Sequence, residues 1–329
     1  MIQGAIRFAL ASTLVCAILA AGGVARAATP LPPPPDAYEC NYWPVVISQP
    51  GSYVLTANLV LPCNKDAIDI KADNVTLDLG GYSITGLGAG STGIGVSAGT
   101  HANITVTNGS VSKMGGGGLI SGDNAVVTNS RYSNNANTAI SVGKNSLVKD
   151  NIVTANANFG IQVGDRSTIA ENAVSGTTGS ISNGDGINAG KNCIVRNNTT
   201  NSNGALGIDA GDGSTVVGNT ASGNTSNGIL AMSNAFVANN TATGNGGIAG
   251  IQCGERCNLI GNTATSNHGD YGILVNDDSA LTSNNASLND GGGIFVNICP
   301  ANLVGNTAVN NTGPNYTLSG AGCTQYNDL

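Results

Sequence analysis

Apolar residues return along this chain at a nearly fixed interval. The unit is clearest from Gly207 to Gly228, GIDAGDGSTVVGNTASGNTSNG, and it repeats with small edits over most of the length. In each repeat one apolar residue follows a small one, at Ile68, Ile94, Leu119, Ile140, Ile161, Ile187, Ile208, Ile229, Ile251, Ile273 and Ile294. The steps between these anchors run from 21 to 26 residues, the signature of a solenoid whose turns cannot bury their apolar faces alone. After each anchor the pattern alternates, as in Ile208-Asp209-Ala210, so the first and third residues point inward along a short strand. A second strand follows, with Val148, Ile169, Val195, Val216, Val237, Leu259 and Leu303 in one column and small residues two places before them.

Polar residues are periodic too. One Asn column is expected at 129, 151, 172, 198, 219, 240, 262, 285 and 306. A second is expected at 134, 156, 203, 224, 245, 267 and 311, with Thr177 and Asp290 as substitutes. Asn tolerates the left-handed backbone of a sharp corner, and stacked amides hydrogen-bond from turn to turn. Runs such as GNTASGNTSNG are poor helix formers. The fold class predicted is all-β, a right-handed parallel β-helix of about 10–11 coils with an N-terminal cap.

The ends depart from the repeat. Residues 1–27 carry Arg7, an apolar run from Phe8 to Ala21 and Ala25-Arg26-Ala27, which predicts a cleaved export signal and no membrane span thereafter. Residues 28–35 read as a Pro-rich linker, 36–66 as the N-terminal cap, 67–311 as β-helix repeats and 312–329 as a C-terminal cap. Trp43 is expected to cover the first coil. An oxidising compartment would pair Cys40 with Cys63 and Cys299 with Cys323. Cys193 and Cys257 share a column three coils apart, too far to bond; a Cys253–Cys257 pair with Cys193 as a buried small residue is one arrangement, and the sequence leaves the pairing of these three open.

Composition sharpens this in two ways. Only 4% of residues are aromatic and 9% charged, so a thin core of Val, Ile, Ala and Ser must suffice. Loss of the two signal arginines leaves 10 basic against 19 acidic residues, a formal charge near −9, which excludes a nucleic-acid partner and disfavours anionic uronates.

The stretch ISQPGSYVLTANLVLPCNKDAIDIKADNVTLDLGGYSITG (Ile47 to Gly86), with the N-x-A-x-x-N-x-x-G-I coils after it, resembles exported bacterial right-handed β-helix repeat proteins of the pectin-lyase-like superfamily. That superfamily includes polysaccharide lyases, hydrolases, epimerases, tailspikes and adhesins, so the resemblance implies a fold more than an activity. Its familiar enzyme signatures are missing. There is no Asp-Pro-His-Glu, no Asn-Thr-Asp with Gly-His-Gly and no Arg-x-Pro-x-x-Arg.

The insertions at 82–92, 112–118 and 175–186 all precede an anchor and crowd one edge of the rod. There Phe159, Gln162, Asn188 and Tyr271 are the expected ligand-binding residues, amides flanked by rings as on a glycan-binding surface. Asp185 and Asp209 on adjacent coils, with His268 and Asp270 further along, are the catalytic candidates for an acid and base pair. A lyase would call instead on Lys113 or Arg131 with Tyr132. The column Asp123, Lys144, Asp165, Lys191, Asp212, Ser233, Glu255 and Asp277 reads as a ladder of surface ion pairs. No metal or cofactor motif is present, and calcium on Asp209, Asp212, Asp277 and Asp278 is the competing reading of those acids. The function expected is a non-catalytic glycan-binding or cell-envelope protein with a polysaccharide partner, secreted or periplasmic. The alternative is a polysaccharide lyase, glycoside hydrolase or epimerase.

Overall fold

A computed structural model describes residues 27–180 and 182–329. The expected export signal lies, all but its last residue, outside the described residues. The chain winds into a parallel β-solenoid with three short strands per coil, and every strand pairing is parallel. The strands that start at the apolar anchors stack into one 13-stranded sheet, and the other two strands of each coil form a 24-stranded sheet. Register holds residue for residue: Ile187, Ile208 and Ile229 are neighbours, as are Val195, Val216 and Val237. These columns are the core, each member essentially unexposed. The small residue before the anchor is required by contact: a Cβ on Gly207 would stand 2.5 Å from the Gly228 carbonyl oxygen and 2.6 Å from Asn224 Nδ2.

The rod is longer than the repeat count suggested, because the expected caps wind as coils. Val45–Ile47 pairs with Ile68–Ile70, and Gly51–Leu55 pairs with Val75–Asp78, so 36–66 supplies a turn of the solenoid. Tyr316–Leu318 and Thr324–Tyr326 do the same within 312–329. Even the Pro-rich segment is not wholly a spacer. Thr29–Leu31 pairs with Tyr53 to Leu55, where an open edge would otherwise leave backbone groups unpaired. Trp43 is 4% exposed and donates its ring N–H to the Ala37 carbonyl.

Two Asn ladders turn the corners, with a shift of one residue from the sequence expectation at several places. Asn219 Oδ1 accepts from both the backbone N–H (2.9 Å) and the Nδ2 (3.1 Å) of Asn198. Its own N–H and Nδ2 repeat that pair of bonds onto Asn240 Oδ1, and Asn240 does so onto Asn262. The ladder continues through Asn284 and not Asn285, and begins at Ser130 and not Asn129. The second ladder likewise uses Asn135 and Asn289 in place of Asn134 and Asp290. The reason is that the left-handed residue stands one place before the ladder amide. Asn129, Asn134, Ser283 and Leu288 hold that conformation, with φ between 50° and 59°. Asp328 terminates the first ladder, accepting from the Asn306 side chain at 3.0 Å.

A third ladder runs through residues read as mere fillers. Ser146, Ser167, Cys193, Ser214 and Ser279 each accept the backbone N–H of the matching residue one coil earlier. Disulfides join Cys40 to Cys63, Cys253 to Cys257 and Cys299 to Cys323, and Cys193 is a buried free thiol. The charged column pairs as expected at Lys144–Asp165 (3.6 Å) and Lys191–Asp212 (2.9 Å). No helix among the described residues is long and apolar enough to cross a membrane.

Candidate functional site

The outer face of the 13-stranded sheet carries the candidate site. Each of its strands points one residue outward, and over the seven coils from Ile161 to Ile294 these are, in register, Gln162, Asn188, Asp209, Leu230, Gln252, Leu274 and Phe295. The residues two before each anchor flank this row: Phe159, Asp185, Leu206, Asn227, Ala249 and Tyr271. From Phe159 to Phe295 the row spans six coil steps, about 29 Å.

At one end stands a compact acid–amide cluster. Asn188 Nδ2 donates to Asp185 Oδ2 at 3.2 Å and to Asp209 Oδ2 at 3.1 Å, so one amide holds two carboxyl groups from adjacent coils. Asp185 is 4% exposed, and its second oxygen accepts the Leu206 backbone N–H at 3.1 Å. Burial raises the Asp185 pKa above the usual carboxylate value, opposed by those hydrogen bonds. Asp209 is only partly buried and stands on the row itself. Burial, and then the charge of Asp185, push it up to about 6. No lysine, arginine or histidine lies in the row or its flank to offset the two acids.

The same device recurs two coils on without charge. Asn227, 4% exposed, accepts the Ala249 N–H at 3.1 Å and donates to Gln252 Oε1 at 2.7 Å. At the far end Tyr271 and Phe295 stack, with ring centroids 4.4 Å apart and planes 17° from parallel. Phe295 was not among the sequence candidates, although its place directly after the anchor Ile294 matches that of Gln162 and Asp209.

The structure therefore brings together Asp185, Asn188 and Asp209, and places Phe159, Gln162 and Tyr271 on the same face. It does not bring His268 and Asp270 to the two acids. These lie in the corner that precedes the Ile273 coil, three coil steps or about 14 Å from Asp209. They line a shallow hollow with Thr225, Ser226, Gly246, Gly247 and Ile248. The His268 ring is turned to a different carboxylate, with Nδ1 2.9 Å from Asp290 Oδ2. Sequence spacing grouped the four because it counts coils without showing on which side of a corner each side chain leaves.

The basic set separates as well. Tyr132 is fully buried, in register with Val111 and Val153, and is a core residue. Arg131 is exposed on the same strand, Val126–Ser133, which belongs to the other sheet. Asp209, Asp212, Asp277 and Asp278 do not gather, and no group of three or more His, Cys, Asp or Glu suited to a metal forms among the described residues. Asp212 is instead paired with Lys191.

Comparison with known proteins gives the fold a name. The family described as "Right handed beta helix region" matches residues 186–329. Among solved structures, the A-module of the Azotobacter vinelandii mannuronan C-5 epimerase AlgE6 is similar at 15% identity and a TM-score of 0.67, covering 85% of this chain and 90% of that one. The AlgE4 A-module from the same organism is similar at 12% identity and 0.67, covering 84% and 90%. The catalytic unit of a GH87 α-1,3-glucanase from Streptomyces thermodiastaticus is similar at 12% and 0.56, covering 91% of this chain and 62% of that one. No curated protein sequence matches the chain. At such identities the likeness is one of winding, and it makes this chain a right-handed parallel β-helix.

Proposed function

We propose that the protein binds a polysaccharide along the outer face of its 13-stranded sheet, without cleaving it. The observation that carries this reading is the continuity of one ladder from the Asp185–Asn188–Asp209 cluster to the stacked Tyr271–Phe295 pair. Carboxyl and amide groups would take sugar hydroxyls, and the rings would cover the apolar face of a pyranose. Coils repeat at about 4.8 Å, close to the advance of one sugar unit, so a chain lying parallel to the rod meets the row in step. The absence of a cation from the row favours a neutral glycan. The solved structures of similar winding, a mannuronan C-5 epimerase module and an α-1,3-glucanase catalytic unit, support a polysaccharide as the class of ligand.

Binding without chemistry is favoured because Asp185 has both oxygens engaged and is closed to solvent. Over these seven coils Asp209 is then the one acid of the row that a sugar can reach, whereas glycoside hydrolysis uses two. A catalytic reading keeps one specific observation in its favour: a carboxyl near pKa 6 is suited to general acid or base work. Three disulfides fit an oxidising compartment, and we assign the protein to the periplasm or the cell exterior. The test is a panel of neutral and anionic polysaccharides, followed both for retention of the protein in affinity electrophoresis and for release of reducing ends or unsaturated products. Retention by a neutral glycan, weakened in Tyr271→Ala and without product, supports the proposal. Product formation that is lost in Asp209→Asn replaces it with the enzyme, and no retention by any glycan refutes both.

A further inference from the structure

One face of the rod is more regular than the candidate site and is not used by it. It is built by the third strand of each coil, from Thr199–Asn201 through Thr220–Ser222, Thr241–Thr243, Thr263–Thr265 and Asn285–Ser287 to Thr307–Val309. These strands pair in unbroken register. Thr199, Thr220, Thr241, Thr263, Asn285 and Thr307 therefore form one straight outward rank. Two residues along each strand a parallel rank includes Ser222, Thr243, Thr265 and Ser287. The residue between the ranks points inward, and in five successive coils it is the same fully buried alanine, at 221, 242, 264, 286 and 308. Equal small core residues keep the coils equal, and equal coils keep the face flat.

The chemistry of the face is as uniform as its geometry. No outward residue of these six strands is charged or aromatic. The backbone groups are taken up by the neighbouring strands and the corner amides bond to one another, so the Thr hydroxyls keep their bonding capacity for the outside. Within the first rank the Oδ1 of Asn285 is buried with no partner in the protein. The result is a net of hydroxyl and methyl groups repeating at about 4.8 Å across coils and about 6.8 Å along each strand. A protein partner would seek an apolar core on its docking surface, and a sugar would seek a ring to lie on; the face has neither.

We propose that this face binds ice. The net approaches the two repeat lengths of the prism plane of hexagonal ice, and a rigid array holds its first water layer in positions that a crystal surface can adopt without further ordering cost. The methyl groups between hydroxyls keep that layer from relaxing towards the liquid arrangement. This inference is independent of the glycan reading, since the two faces belong to different sheets.

The experiment measures the gap between melting and freezing points of a single ice crystal in the purified protein, and the uptake of fluorescently labelled protein into a growing ice hemisphere. The unaltered protein is expected to open a gap and to enter the ice on a defined plane. Thr241→Tyr and Thr263→Tyr, which set rings in the middle of the face, are expected to abolish both. Lys144→Tyr, at a corner outside the face, should change neither. Circular dichroism and melting curves establish that each variant is folded, and a misfolded Tyr variant is replaced by Thr241→Lys. Exclusion of the unaltered protein from ice, or face variants as active as the original, would overturn the proposal.

Discussion

Replacing Asp209 with Asn should change how stability depends on pH, by an amount the site geometry sets. In the folded chain the carboxyl is held up to about 6 by burial and by the nearby charge of Asp185, against an unfolded value near 3.8. Between those values the folded state binds a proton that the unfolded state has released. Stability is therefore fully present below about pH 4 and is lost as pH rises through about 6. Two pKa units correspond to roughly 3 kcal/mol as an upper bound. Asn keeps the shape and an oxygen to accept the Asn188 amide, but carries no charge at any pH. Melting or urea curves collected from pH 4 to pH 8 for both proteins isolate the cluster, because every titration outside the Asp185–Asp209 pair is shared. The original should lose up to about 3 kcal/mol more than the variant over that range, and should melt lower at pH 7.5 by several degrees at roughly 2 °C or more per kcal/mol. Parallel curves would mean that the acid–amide cluster does not hold the carboxyl as described.

Four further outcomes are expected. Asn219→Ala strips the side-chain partner from the buried Asn198 N–H and from the Val195 carbonyl, while Asn198 Nδ2 keeps its bond to the Ile169 carbonyl, and should cost about 2–6 kcal/mol in denaturant melts, at 1–3 kcal/mol for each of the two orphaned groups. Gly207→Val should prevent folding or lower the melting point sharply, since its Cβ alone would press on Gly228 and Asn224; Asp212→Ala, at a surface corner, is the contrasting control. Cys299→Ser with Cys323→Ser opens a link of sequence separation 24 and should cost about 3 kcal/mol, more than the roughly 2 kcal/mol expected where Cys253 and Cys257 are only 4 apart. Phe295→Ala, followed by titration with any glycan that binds, should weaken affinity about two- to tenfold, the loss of a stacked ring contact of roughly 0.5–1.5 kcal/mol.

Much of the architecture is legible in the sequence because a solenoid translates linear period directly into spatial neighbourhood. Ile187, Ile208 and Ile229 stack because equal numbers of residues separate them, and no long-range pairing has to be guessed. The Asn columns are misplaced by one residue where two polar residues stand side by side, as at Asn134 and Asn135, Asn284 and Asn285, Asn129 and Ser130, and Asn289 and Asp290. Period alone cannot choose between neighbours; the left-handed residue just before the ladder position does so, and it shows only as a backbone angle. The cap segments misled for a related reason. Val45–Ile47 and Tyr316–Leu318 have strand character but no repeat motif, and they join the spiral because an open edge pairs with any extended segment that reaches it.

The sequence by itself determined the spiral, its apolar columns, the polar corners and the proximity of Asp185 to Asp209, since each follows from spacing along the chain. Tertiary structure alone decided which side of a corner a side chain leaves from. It turned His268 to Asp290, sank Tyr132 into the core, set Phe295 on Tyr271 and gave two acids one amide between them. The physical reason is that coil number is a one-dimensional quantity fixed by residue count, whereas direction around the coil depends on the dihedral angles and packing of each corner.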